Sequence, residues 1–123
     1  MKTFLIQRNL PGAGLLTPSE KKAIARRSCA VIEELGTDRI QWMHSYITGN
    51  HLFCVYKAVN ADMLRQHAEK GPFPLDDIHE IFGLMGPETA ELEDISKAKL
   101  DSVFKNVKNV FATLFMLLIA FSF

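Results

Sequence analysis

The sequence predicts an α+β fold: one four-stranded antiparallel sheet, two helices on one face of it, and an extra helix at the C-terminal end. Three observations lead there. Apolar residues alternate with period two in several short stretches, a strongly capped stretch of helical period follows the first of them, and a Gly49-Asn50 pair joins two aromatic-rich stretches as a hairpin.

Taken in order, Lys2 to Arg8 sets Phe4 and Ile6 against Thr3, Leu5 and Gln7, and Pro11-Gly-Ala-Gly14 stops it, so it reads as a strand followed by a loop. Thr17-Pro18-Ser-Glu20 supplies an N-cap, a proline at the first helical position and a glutamate three residues on. Apolar or small residues then recur at Ala23, Ile24, Ser28, Val31, Ile32 and Leu35 before Gly36, which predicts a helix of about 18 residues. Arg39 to Thr48 and His51 to Ala58 are rich in aromatic and β-branched residues and should pair across a type II′ turn at Gly49-Asn50. Asn60 caps a short helix over Ala61 to Lys70, with Met63, Leu64, His67 and Ala68 on one face; Gly71-Pro72 ends it and Pro74 keeps it from restarting. Asp77 to Met85 alternates again and predicts a fourth strand before Gly86-Pro87. Strand, helix, strand, strand, helix, strand is the split βαβ order of ferredoxin-like domains.

The chain has 123 residues with 14 basic and 14 acidic side chains, which fits one sheet domain and lacks the positive field that nucleic-acid binding draws on. No nucleic-acid partner is expected. Cys29 and Cys54 fall in different elements, and Met1-Lys-Thr-Phe-Leu-Ile runs straight into a strand without a signal-type apolar core. The expected compartment is the cytoplasm, with both thiols reduced and Cys29 packed in the core.

A two-residue turn at Gly49-Asn50 places Met43 opposite Tyr56, His44 opposite Val55, Ser45 opposite Cys54 and Tyr46 opposite Phe53. Both faces of the hairpin are then largely apolar. Two helices cover only one, so Trp42, Tyr46, Phe53 and Val55 form an aromatic patch that a second copy would cover, giving a homodimer with a pocket between its sheets.

The reactive side chains concentrate in this hairpin and the short helix behind it. His44, Cys54 and His67 are the candidate metal ligands, because imidazole and thiolate on neighbouring elements suit a soft transition metal. Trp42, Ser45, Tyr46 and Tyr56 are the candidate pocket residues. Each has a structural reading beside the functional one: His44 as a hydrogen-bonded strand histidine, His67 as a cap on its helix's last carbonyls, Cys54 as a small buried hydrophobe, the tyrosines as core or interface aromatics. His51 and His79 read as exposed. In this register His44 and Cys54 point to opposite faces, and only a bulge would bring them together. His67 could join Cys54 under the helices while His44 lies in the dimer pocket.

The segments Met1-Lys-Thr-Phe-Leu-Ile-Gln-Arg, Leu16-Thr-Pro-Ser-Glu, Trp42-Met-His-Ser-Tyr-Ile-Thr-Gly-Asn, Phe53-Cys-Val-Tyr, Arg65-Gln-His-Ala-Glu-Lys-Gly and Phe73-Pro together resemble the small bacterial nickel-binding proteins first catalogued as a domain of unknown function. The resemblance covers residues 1–91 and implies a ferredoxin-like homodimer that binds nickel, with no established reaction. Its motifs fall on Trp42, His44, Ser45, Tyr46, Cys54, Tyr56, His67, Gly71 and Pro74. Gly86 replaces an expected aspartate and Glu88 an expected threonine, so a carboxylate ligand or cap there is lost or moved. Nickel shares its donor preferences with copper, zinc and cobalt.

Residues 92–123 lie beyond the resemblance. Leu92 to Asn109 reads as an amphipathic helix with Ile95, Leu100, Val103, Phe104 and Val107 between lysines, and Val110 to Phe123 is almost wholly apolar. As a helix that last stretch would span about 21 Å, short of the roughly 30 Å hydrocarbon core. It is a candidate for contact with a membrane surface or another protein, helped by Lys97, Lys99, Lys105 and Lys108. The first functional expectation is non-enzymatic nickel sequestration or buffering. The alternative is a dimeric α/β-barrel type of enzyme with an organic substrate between the sheets and His44 as general base; a third is a pure interaction module. No Gly-rich phosphate loop, Ser-His-Asp set or paired catalytic carboxylates point to nucleotide or hydrolase chemistry.

Overall fold

In the computed structural model, which describes residues 1–92 and 97–121, the first 84 residues form one unit. Its elements are β1 (Lys2–Asn9), α1 (Pro18–Leu35), β2 (Ile40–Ile47), β3 (His51–Ala58), α2 (Ala61–Lys70) and β4 (Asp77–Ile81). The strands lie in the order β2-β3-β1-β4, every neighbouring pair antiparallel, which is the ferredoxin-like arrangement.

The helix ends are where the caps put them. The Thr17 hydroxyl accepts from the Glu20 N–H at 3.2 Å while the Glu20 carboxylate accepts from the Thr17 N–H at 3.0 Å, closing a capping box on α1. The Asn60 side chain accepts from the Met63 N–H at 3.0 Å to start α2. At its other end Arg27 donates to the carbonyls of Lys70 and Gly71, at 2.7 and 2.8 Å, fastening α2 to α1. Only glycine fits at position 71, because a Cβ there would collide with the Phe73 ring.

The core lies between the helices and one sheet face. Phe4 and Ile6 of β1, Ile40 of β2, Cys54, Tyr56 and Ala58 of β3, Ile32 of α1, and Met63 and Leu64 of α2 pack together there. Each fully buried aliphatic side chain of this set stabilises the fold by about 1.5–3 kcal/mol. The inward stripe of α1 is Ser28, Val31 and Ile32. Cys29, one position off that stripe, is exposed and not part of the core, since successive helical residues point about 100° apart.

The hairpin departs from its expected geometry in two ways. His44, Ser45 and Tyr46 pair with Val55, Cys54 and Phe53, but Tyr56 pairs with Trp42, not Met43. Met43 is an extra residue, a bulge that turns Trp42 onto the helix-covered face and leaves His44 on the other. The turn closes through the Thr48 N–H to the His51 carbonyl at 2.9 Å, yet Gly49 lacks the positive φ of a type II′ turn. The turn is tied to the loop after β1 instead: the Leu10 and Gly14 N–H groups donate to Asn50 and Gly49, at 2.9 and 3.1 Å. Gly14 sits so close that a Cβ there would lie 3.2 Å from the Gly49 Cα.

β4 stops at Ile81, four residues before Met85. It pairs only with β1, where Ile81 faces Thr3, and β1 itself begins at Lys2. Phe82, Leu84 and Met85 run on past that partner and are exposed.

The second unit, residues 85–123, has a 3₁₀ turn over Pro87–Glu91 and the helix α3, Lys97–Phe121. The helix thus begins later than the sequence suggests, since Leu92 terminates the 3₁₀ turn; Ile95 lies outside the described residues. Val103, Phe104, Val107 and Val110 are exposed along α3. No helix among the described residues is long and apolar enough to cross a membrane.

Candidate functional site

The covered face of the sheet gathers polar chemistry inside an apolar layer. Alternation along β1 sends Phe4, Ile6 and Arg8 inward, so the third inward position carries a guanidinium that is only 3% exposed. Arg8 Nη1 donates to the Pro74 carbonyl at 2.6 Å, and the guanidinium carbon lies 5.9 and 5.4 Å from the ring centres of Tyr56 and Phe73. His67 of α2 is fully buried beside it, with its ring stacked on Phe73 at 5.2 Å and tilted against Tyr56 at 5.4 Å. Its Nε2 and the Ser28 hydroxyl of α1 share a hydrogen bond of 3.0 Å. The side chain therefore reaches α1 rather than its own helix's last carbonyls, which Arg27 serves. Two nitrogens, Arg8 Nη2 and His67 Nδ1, are buried with no hydrogen-bond partner.

Burial, reinforced by the positive charge of Arg8, lowers the His67 pKa to about 4, so the imidazole is neutral at physiological pH. Burial pushes the Tyr56 phenol up, and Arg8 opposes part of that rise. Beside this cluster, between α1 and the β2-β3 hairpin, opens a cavity of about 220 Å³. Trp42, Ser45, Cys54 and Tyr56 line it, with the Trp42 indole N–H donating to the Ser45 hydroxyl at 2.9 Å. Tyr46 does not reach it. Sequence reasoning missed Arg8, although the Phe4, Ile6, Arg8 alternation marks it as inward.

The other face carries a different set. His44 and Tyr46 project from β2 with ring centres 5.2 Å apart and nearly perpendicular. Both are exposed, and among the described residues no hydrogen bond engages the His44 imidazole. One row across the sheet runs His44, Val55, Leu5, His79, and His79 Nε2 lies 2.9 Å from the Asp77 carboxylate. His51, expected to be exposed, is half-buried.

The three candidate ligands thus divide: Cys54 and His67 under the helices, His44 on the opposite face. The bulge does not unite them, because it lies before His44 and leaves the His44-Val55 pairing unchanged. Among the described residues no group of three or more His, Cys, Asp or Glu side chains is placed to hold a metal ion. Within one chain the donors among the described residues do not fit a complete nickel centre.

Comparison with curated proteins gave no match. Among solved structures, the crystal structure of SCO4226 from Streptomyces coelicolor A3(2) superposes with a TM-score of 0.57 at 14% identity, covering 68% of this chain and 99% of that one. At that identity the likeness speaks for the fold. The model of the family described as nickel responsive protein SCO4226-like matches residues 4–81, more than half of the chain and nearly all of the sheet unit. The chain belongs to the SCO4226-like family of nickel responsive proteins.

Proposed function

We propose that this protein binds nickel without catalysing a reaction, sequestering or buffering the ion as a face-to-face homodimer. The observation that supports this reading is the uncovered sheet face, where an unengaged imidazole, His44, stands at one edge and the His79-Asp77 pair at the other. Strands are spaced about 4.8 Å apart, so the two edges of this row lie roughly 14 Å from each other within one chain, too far for a common ion. A two-fold axis running parallel to the strands sets His44 of one copy over His79 of a second, twice per dimer. Imidazole, carboxylate and the nearby phenol of Tyr46 then form a nitrogen-oxygen donor set that nickel accepts. Phe53 and Val55, half-buried in the single chain, supply the apolar contact at the centre.

Calorimetric titration of the metal-stripped full chain with nickel and then zinc tests the reading, alongside His44→Ala and His79→Ala. Near-stoichiometric nickel uptake by a dimer, lost in either variant and weakened on acidification as protons compete for imidazole, is the expected result. A dissociation constant no tighter than about 1 mM would sink it.

A further inference from the structure

The covered face contains a positive charge that no acidic side chain neutralises. Arg8 is 3% exposed, and its guanidinium meets a backbone carbonyl, two ring faces and the neutral Tyr56 phenol. Among the described residues no ion pair includes it, and Nη2 has no partner at all. A buried charge left uncompensated is strongly destabilising, and a guanidinium is the side chain whose planar fork best matches a carboxylate. The adjoining cavity, which Arg8 lines, shares the bias: none of its wall residues is acidic, and Lys21 adds a second cation. The rest of the wall is mainly apolar, formed by Leu16, Ile24, Ala25, Leu52 and Trp42. Its volume of about 220 Å³ exceeds the about 150 Å³ that suffices for a benzene molecule in an apolar protein cavity.

We propose that this cavity binds a small amphipathic carboxylate, its carboxylate paired with Arg8 and its phenyl-sized or short-chain body lying against Ile24, Ala25 and Trp42. The charged end satisfies the guanidinium that the fold leaves without a counter-ion, and the apolar end fills space that water occupies poorly. The site lies on the opposite side of the sheet from the nickel half-sites and is independent of them.

Trp42 is the only tryptophan in the chain and lines the cavity, so its fluorescence reports occupancy. The full chain is titrated with benzoate, with its uncharged isostere benzamide and with inorganic phosphate. Benzoate should give a saturable change, with benzamide and phosphate weaker by about tenfold or more. Arg8→Met should reduce benzoate to the level of benzamide, and Ala25→Leu, which fills the cavity and leaves the charge, should abolish the response to both. Should Arg8→Met fail to fold by circular dichroism, the benzoate-to-benzamide ratio and the Ala25→Leu loss still decide. Equal binding of benzoate and benzamide, phosphate binding as tight as benzoate, a response that survives Ala25→Leu, or no saturation with benzoate would each overturn the proposal.

Discussion

The two faces of the sheet are built from the same four strands and the same kinds of residue, yet they do opposite things. On the covered face, aliphatic side chains from α1, α2 and three strands close around Arg8, His67 and Tyr56, and two buried nitrogens there lack a hydrogen-bond partner. On the other face His44, Tyr46, Phe53 and Val55 stand in line but are packed by neither helix of the unit. Polar groups on the first face are governed by desolvation, and those on the second keep their hydration and remain free to take a ligand. In this fold, burial rather than residue type decides what an imidazole can do.

Paired truncations across the sheet should give the largest contrast. Leu64→Ala, at a fully buried position, is expected to lower the unfolding free energy by about 3–5 kcal/mol, while Phe53→Ala costs the isolated chain about 1 kcal/mol or less. Phe53→Ala should act instead on self-association, read by sedimentation velocity against concentration. Equal costs in chemical denaturation, with no change in association, would mean that the second face is already covered within the chain.

Deleting Met43 sharpens the comparison at one residue. With Met43 gone, Trp42 and His44 become consecutive opposite Tyr56 and Val55, so Trp42 and Ile40 keep their places on the covered face and stability should change by about 1 kcal/mol or less. The Trp42 emission should likewise stay where it is, since the indole keeps its place on the covered side. A red-shifted spectrum with a loss of about 2–3 kcal/mol would show instead that the strand slips by one residue and turns Ile40 out.

Titration separates the faces as well. In the unfolded chain an imidazole takes up its proton near pH 6.5, whereas His67 in the folded protein does so only near about 4. Between these values the unfolded state binds more protons, so this contribution to stability is complete above pH 6.5 and is lost as the pH falls to about 4. The loss is on the order of 3 kcal/mol. Urea unfolding at pH 7, 5.5 and 4.5 should show this slope in the parent protein and a much flatter one in His67→Gln.

The sequence carried the caps, the loops and the order of elements because each rests on neighbours in the chain: Thr17 with Glu20, Asn60 with Met63, Gly71 with Pro72. It also placed His44, Ser45 and Tyr46 in their correct pairings, since those follow from counting back from the turn. The bulge was not legible. Trp42, Met43 and His44 can each sit on either side of a sheet with two apolar faces, so alternation there has no preferred phase. The end of β4 depends on where β1 begins, some 80 residues away, and no local pattern between Ile81 and Met85 records it. Arg8 was legible by its phase with Phe4 and Ile6, but a charge in an inward position reads as the end of a strand rather than as part of a core. The exposure of Cys29 was a matter of a single helical step.

The smallest contrast comes from two adjacent residues. Ser45→Ala removes the acceptor of the Trp42 indole N–H, a bond of 2.9 Å at the rim of the cavity, and His44→Ala removes an imidazole that no hydrogen bond holds. The first should cost about 1 kcal/mol, close to the net worth of one such bond, and it should be partly recovered where water from the cavity replaces the hydroxyl. The second should stay within about 0.5 kcal/mol of the parent chain in metal-free buffer, because it empties neither a packed site nor a polar network. On the proposed function, adding nickel should reverse the ranking. An ion bound only by the folded dimer raises its stability by mass action, so the melting temperature of Ser45→Ala should rise with nickel as the parent's does, and that of His44→Ala should not. Equal nickel responses from the two variants would move the metal off the uncovered face, whatever their stabilities without it.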